Sequence, residues 1–154
     1  MIVGCGCRGR ALGGEVLKLG HAVRGTTRDP DSLRVLSAAG IEGVLGDPDR
    51  LGTLLRAIEG VSAVCWLMGT ANERPLHSER LESMLELLVD THVRGFVYEA
   101  AGGADAGDLE HGAGLVRRAG DTFHMPVAVV GEDPAEHEAW LAAMTAAVES
   151  VLGG

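Results

Sequence analysis

Met1-Ile2-Val3-Gly4-Cys5-Gly6-Cys7-Arg8-Gly9 opens as an apolar strand and runs into Gly4-x-Gly6-x-x-Gly9, with an apolar helix behind it. In a dinucleotide site three glycines at this spacing have separate tasks. One allows the tight turn, one admits a pyrophosphate against the backbone, and one lets the helix sit close to the sheet. The helix start then presents unpaired N–H groups and the positive end of its dipole to phosphate. The chain holds 23 glycines, so the competing reading is a glycine-rich structural turn. The flanking pattern favours the phosphate loop. Leu12, Val16 and Leu19 share one face of the helix, and Gly20-His21 ends it before the next apolar run. Gly13 costs a helix interior about 1 kcal/mol, which close packing of that helix on the sheet would explain.

Outward from this segment, apolar strand-like runs alternate with helical patterns. Strands are expected at Ile2–Gly4, Ala22–Gly25, Gly43–Leu45, Ala63–Leu67, Gly95–Glu99 and Val127–Val130. Helices are expected near Arg10–Leu19, Asp31–Ala39, Asp49–Glu59, His77–Thr91, Leu109–Ala119 and Pro134–Leu152. Each helix carries an apolar stripe, such as Leu81, Met84, Leu85 and Leu88, or Trp140, Leu141, Met144, Val148 and Val151. Asp29-Pro30, Asp47-Pro48 and Asp133-Pro134 each read as a helix cap before a proline at the first helical position. Glu136 would complete a capping box on the last. Strict alternation of six strands and six helices predicts an α/β fold: a three-layer, doubly wound parallel sheet ordered 3-2-1-4-5-6, in one domain over residues 1–154. Ala101–Gly114, with five glycines, reads as the one flexible loop. Only three residues precede Gly4, which leaves open a native start upstream of Met1 or a short central strand.

Composition narrows the function classes. A net charge of −9 and no cluster of cations exclude a nucleic-acid partner, since phosphate backbones need grouped lysines and arginines. No signal peptide and no membrane-spanning run is visible. Cys5, Cys7 and Cys65 are odd in number and lack zinc-type pairing, so no metal site is expected and a reducing cytoplasmic location fits. Cys5 and Cys7 are either redox-active thiols beside a helix start or small loop residues that simply fit.

The cofactor's identity turns on the end of the second strand. In NAD-preferring sites an acidic residue there holds the ribose 2′-hydroxyl. Here Ala22-Val23-Arg24-Gly25 leads into Thr26-Thr27-Arg28, with no acid before Asp29. Hydroxyls plus a planar guanidinium suit a 2′-phosphate. Arg28 is the leading contact and Arg24 the second, so NADP is favoured, with NAD the alternative. Asp47 could accept from the adenine amino group, cap a helix, or do both. Gly69-Thr70-Ala71, after the fourth strand, is a candidate wall of the site.

These residues carry a family resemblance. Val3-Gly4-Cys5-Gly6-Cys7-Arg8-Gly9-Arg10, then Gly25-Thr26-Thr27-Arg28, then Gly46-Asp47, resembles the atypical and extended short-chain dehydrogenases, including NAD-dependent epimerase-like and NmrA-like proteins. The likeness follows the whole chain in its order of elements, though its specific motifs lie in the first 50 residues. It implies a Rossmann fold, NADP or NAD as ligand, and a substrate pocket above strands four to six. On that likeness Gly4, Gly6 and Gly9, with Cys7 and Arg8 beside them, would meet the pyrophosphate. Arg28 would meet the 2′-phosphate and Asp47 the adenine.

The resemblance also implies a serine after the fifth strand and a Tyr-x-x-x-Lys on the next helix, the tyrosine moving the proton that accompanies hydride transfer. Here the first position reads Tyr98-Glu99-Ala100-Ala101-Gly102, and the second His111-Gly112-Ala113-Gly114-Leu115. The single lysine, Lys18, belongs to the first helix. Glu99 and His111 are the alternative proton donors, with Glu132 and Asp133 facing the same cleft. Two functions compete: an NADP-binding or sensing protein, and an NADP-dependent reductase of a small or planar acceptor that works without the dyad. A glycine-rich scaffold binding no nucleotide is the third reading. A homodimer through the His77–Thr91 or Pro134–Leu152 helices would rest on fold analogy alone.

Overall fold

A computed structural model describes residues 1–153. Six parallel strands form one sheet in the order β3-β2-β1-β4-β5-β6, as the alternation predicts. The strands are β1 (Ile2–Val3), β2 (Arg24–Thr27), β3 (Glu42–Leu45), β4 (Val64–Trp66), β5 (Phe96–Glu99) and β6 (Val127–Val130). The helices are α1 (Cys7–Lys18), α2 (Leu33–Ala38), α3 (Leu51–Leu55), α4 (Glu79–Leu88), α5 (Ala106–Phe123) and α6 (His137–Leu152). Successive strand residues point to opposite faces, and both faces are buried, as a parallel sheet requires. Val3, Val64, Trp66, Phe96 and Tyr98 meet α3, α4 and α5. Ile2, Cys65, Val97 and Val130 meet α1, α2 and α6.

Several boundaries differ from those expected, each for a local reason. β2 runs two residues later than Ala22–Gly25, because its pairing with β3 matches Arg24 to Glu42 and Thr27 to Leu45. Thr26 and Thr27 are therefore strand residues, held by the sheet. The Asp49–Glu59 helix shrinks to α3, and beyond it Ala57 N–H donates to the Leu54 carbonyl at 2.9 Å, a tighter turn. Leu19 caps α1 and is exposed, leaving Leu12 and Val16 as that helix's core contacts. The segment read as a loop at Ala101–Gly114 is helical from Ala106, where Asp105 accepts from the Asp108 N–H at 3.0 Å.

The three Asp-Pro signals separate. Asp29 caps the 3₁₀ turn Pro30–Ser32 that leads into α2. Asp47 and Asp133 instead close short turns onto the Asp49 and Ala135 N–H groups. α3 and α6 begin further on, capped at Arg50 and Glu136 without side-chain bonds. The capping box expected from Glu136 does not form. Gly13 fits its expectation: a Cβ there would stand 2.6 Å from Ile41 Cδ1 and 3.5 Å from Val23 Cγ1. No helix among the described residues is long and apolar enough to cross a membrane.

Candidate functional site

The phosphate loop is held from beneath by β2. Gly4 turns at φ +82°, a region that suits glycine, and a Cβ there would collide with Met68. The buried Thr26 takes the Gly4 N–H on its hydroxyl at 3.3 Å and the Cys5 N–H on its carbonyl at 3.0 Å. Thr26 thus positions the loop. Gly6 caps α1 without a side-chain bond, and the first intrahelical bond runs from Arg10 N to Gly6 O at 2.9 Å. The N–H groups of Cys7, Arg8 and Gly9 therefore have no acceptor within the helix. A Cβ added to Gly6 meets nothing within 4 Å, whereas one on Gly9 would lie 3.1 Å from Cys5 Sγ. Gly6 leaves room for a ligand; Gly9 lets α1 pack. Burial pushes the Cys5 thiol up to about 11, so near neutrality it is not a reactive thiolate. Cys7 is exposed, its sulfur accepting from Arg10 Nη2 at 3.2 Å.

A cleft of about 910 Å³ opens over this loop at the point where the strand order reverses, the position where doubly wound sheets bind ligands. Gly4, Gly6, Arg8, Thr26, Thr27, Arg28, Asp47 and Thr70 all line it. Cys7, Gly9 and Gly69 do not. Arg28 is exposed and forms no ion pair or side-chain hydrogen bond among the described residues. The neighbouring Asp29 carboxylate is engaged on both oxygens, by the Asp31 N–H at 3.0 Å and the Ser32 hydroxyl at 3.2 Å. Asp47 uses one oxygen on the Asp49 N–H.

Arg24 requires a correction. It lies at the opposite end of β2, bonded to Glu42 at 3.0 Å and to the carbonyls of Ala57 and Glu59. Side chains two residues apart on a strand share a face, but Arg24 and Arg28 are separated by the length of β2, which runs from one sheet end to the other. Lys18 pairs with Glu15 on α1 at 2.7 Å.

The proton-donor candidates fare differently from the phosphate loop. Glu99 is fully buried and receives four N–H donors. Arg8 Nη2 and the Gly69 N–H reach Oε1 at 2.7 and 2.8 Å; Arg8 Nε and Trp140 Nε1 reach Oε2 at 3.3 and 2.9 Å. A carboxylate so enclosed holds other groups in place, and the expectation that it donates a proton does not match its surroundings. Gly69 is likewise a structural contact, since a Cβ there would collide with the Ala101 carbonyl. His111 is on the exposed side of α5 and outside the cleft lining. Glu132 and Asp133 are also exposed and outside it.

Two residues absent from the sequence reading of the site are Trp140 and His77. Trp140 reads as one more member of an apolar stripe; the only signal is that a buried indole N–H needs an acceptor. His77 is buried, with Nε2 2.8 Å from the Ala71 carbonyl and Nδ1 2.8 Å from the Tyr98 hydroxyl. A carbonyl can only accept, so in the neutral ring Nε2 donates and Nδ1 accepts from tyrosine. Burial pushes the Tyr98 phenol well above its ordinary range, and Gly112 gives its hydroxyl space against α5.

The strand order, the glycine turn and the cleft at the switch point together define a dinucleotide-binding α/β protein. Residues 4–143 match the family described as NAD(P)H-binding, and the chain belongs to that family. No curated protein matches the sequence. Among solved structures, a short-chain dehydrogenase/reductase superfamily protein from Agrobacterium tumefaciens with bound NAD is 22% identical, with a TM-score of 0.65 over 84% of this chain and 47% of its own. UDP-glucuronic acid 4-epimerase from Bacillus cereus in complex with NAD is 15% identical, with a TM-score of 0.62 over 84% and 55%. An NADPH-dependent quinone oxidoreductase from Escherichia coli is 16% identical, with a TM-score of 0.57 over 83% and 45%. The chain spans about half the length of these structures, and the likeness at such identities is one of fold.

Proposed function

We propose that the protein binds NADP(H) in this cleft and acts as a binding or sensing protein for the dinucleotide. The observation that carries the reading is the contrast at the end of β2: Arg28 lines the cleft without a side-chain partner, while Asp29 is outside the lining and its carboxylate accepts from its own turn on both oxygens. An NAD-type ribose would need an acid lining the cleft there, and a 2′-phosphate needs a free cation. In this reading the unpaired N–H groups of Cys7 and Arg8 meet the pyrophosphate, with Gly4 and Gly6 shaping the turn that leaves it room. Thr27 flanks the 2′-phosphate, and Asp47 accepts from the adenine. Gly9 acts through packing, as Thr26 acts through the loop.

Binding is favoured over turnover because no Tyr-x-x-x-Lys occurs in the sequence. The one tyrosine, Tyr98, is buried and spends its hydroxyl on His77. The second reading is an NADP-dependent reductase of a small or planar acceptor, supported by the likeness in fold to the NADPH-dependent quinone oxidoreductase. Calorimetric titration with NADPH and NADH in one buffer tests the first reading. Micromolar NADPH with NADH weaker by about tenfold or more is expected, a difference of about 1.4 kcal/mol. Equal affinities would remove the proposed role of Arg28. Steady NADPH oxidation with a quinone would move the function to the second reading.

A further inference from the structure

A dinucleotide in a doubly wound sheet straddles two mononucleotide-binding halves, one on each side of the switch point. The cleft here covers the first of them and reaches into the second only at the end of β4. Every residue lining it lies between Gly4 and Leu76, at the end of β2 or on the segments that follow β1 to β4, and none comes from the ends of β5 or β6. At the end of β5 the rest of the second half is closed by the protein's own side chains. The buried Glu99 carboxylate ends β5 and gathers Arg8, the Gly69 N–H and the buried Trp140 indole. Beyond it the chain folds back onto the segment after β4: Ala104 N–H donates to the Gly69 carbonyl at 2.9 Å, and Gly102, at φ +142°, lies against the backbone of Gly69 and Thr70.

Arg8 marks the boundary. Its guanidinium lines the cleft, yet it is bonded twice to Glu99 and stands 5.8 Å from the Trp140 ring centre. Opening this part of the second half would separate a fully buried carboxylate from its cation and leave an indole N–H without an acceptor, a costly exchange for the contacts of a nicotinamide, whether neutral when reduced or cationic when oxidised.

We infer, resting on the nucleotide reading above, that the site is a half-site. It grips the adenosine 2′-phosphate 5′-diphosphate portion and leaves the nicotinamide riboside in solvent. The oxidised and reduced dinucleotides then bind alike, and 2′-phospho-ADP-ribose, which lacks the nicotinamide, binds as well as either. The protein reads the concentration of this nucleotide class and not its redox state. A ring in solvent has no protein-held acceptor beside it, which fits binding without turnover.

The test is calorimetry on the whole chain with NADPH, NADP⁺ and 2′-phospho-ADP-ribose, together with the emission of the reduced nicotinamide. Affinities within about fivefold of one another, about 1 kcal/mol, and an emission spectrum unchanged on binding are expected. A wider spread favouring either dinucleotide, or a blue-shifted and brighter emission, would show an enclosed ring. The half-site would then fall while the nucleotide reading stood. Absence of binding by all three ligands would overturn both.

Discussion

At the carboxyl ends of β1 to β3 the chain leaves backbone N–H groups and Arg28 uncommitted, whereas around the end of β5 its buried polar groups are bonded to one another. Glu99, Arg8, Trp140 and the Gly69 N–H form one cluster; Tyr98, His77 and the Ala71 carbonyl form another. Among the described residues no buried side-chain nitrogen or oxygen lacks a partner. The two regions use similar residue types, so residue type does not distinguish a site from a strut. What distinguishes them is whether the protein satisfies its own donors and acceptors. An unsatisfied but solvated cation such as Arg28 is available to a ligand. A satisfied and buried carboxylate such as Glu99 is not.

The largest expected effect comes from breaking the filled half. Glu99→Ala leaves the Arg8 guanidinium, the Trp140 N–H and the Gly69 N–H without their shared acceptor and should cost about 4 kcal/mol of stability, read by urea unfolding. A loss under about 1 kcal/mol, the range of a surface ion pair, would mean that the cluster is solvated and the contrast between the halves is false.

Two glycines sharpen the same contrast. Gly69→Ala drives a methyl into the Ala101 carbonyl and within 2.7 Å of Glu99 Oε1, so a loss of about 3 kcal/mol is expected in the same assay. Gly6→Ala meets no protein atom within 4 Å. It should unfold within about 0.5 kcal/mol of the parent and weaken NADPH binding through its contact with the ligand. Equal destabilisation by both would contradict the division between an open half and a packed one.

Arg28→Glu should weaken NADPH binding by about 30-fold, about 2 kcal/mol, the size of a charge-assisted hydrogen bond. NADH affinity should change far less. An unchanged NADPH affinity in calorimetry would place the 2′-phosphate elsewhere.

The smallest effect is a pH dependence beneath the open half. The Cys5 thiol rises from 9.0 to about 11 because it is buried, so the folded state favours the protonated form. Its contribution is fully present below pH 9 and is lost as pH rises toward 11. Stability should fall by about 1 kcal/mol between pH 9 and 10 from this residue. Burial raises the Cys65 thiol alike, to about 11, so Cys5→Ala should remove about half of the combined slope in thermal melts, whatever it does to the stability at neutral pH. An unaltered slope would mean that solvent reaches the thiol under the loop.

Much of this molecule was legible in the residues. The three glycines before a stripe of Leu12 and Val16, and apolar runs spaced by amphipathic helices, lead directly to the sheet and its strand order. The phosphate loop, Arg28 and Asp47 follow from the same reading and all line the cleft or support it. The boundaries that moved were those decided by pairing. β2 lies where β3 and β1 hold it, which local propensity does not encode. Arg24 and Arg28 look alike in a linear string, but a strand of four residues carries them to opposite ends of the sheet.

The sequence by itself determined the class of fold and the glycine turn at the switch point, because those depend on local periodicity and on glycine where backbone must turn. The fate of Glu99 was decided only by the tertiary structure. It stands 91 positions from Arg8 and 41 from Trp140, and a carboxylate's role depends on which donors the fold brings to it. The same residue at the mouth of an open cleft would be a candidate acid. Enclosed by four donors, it instead helps to close that half of the sheet.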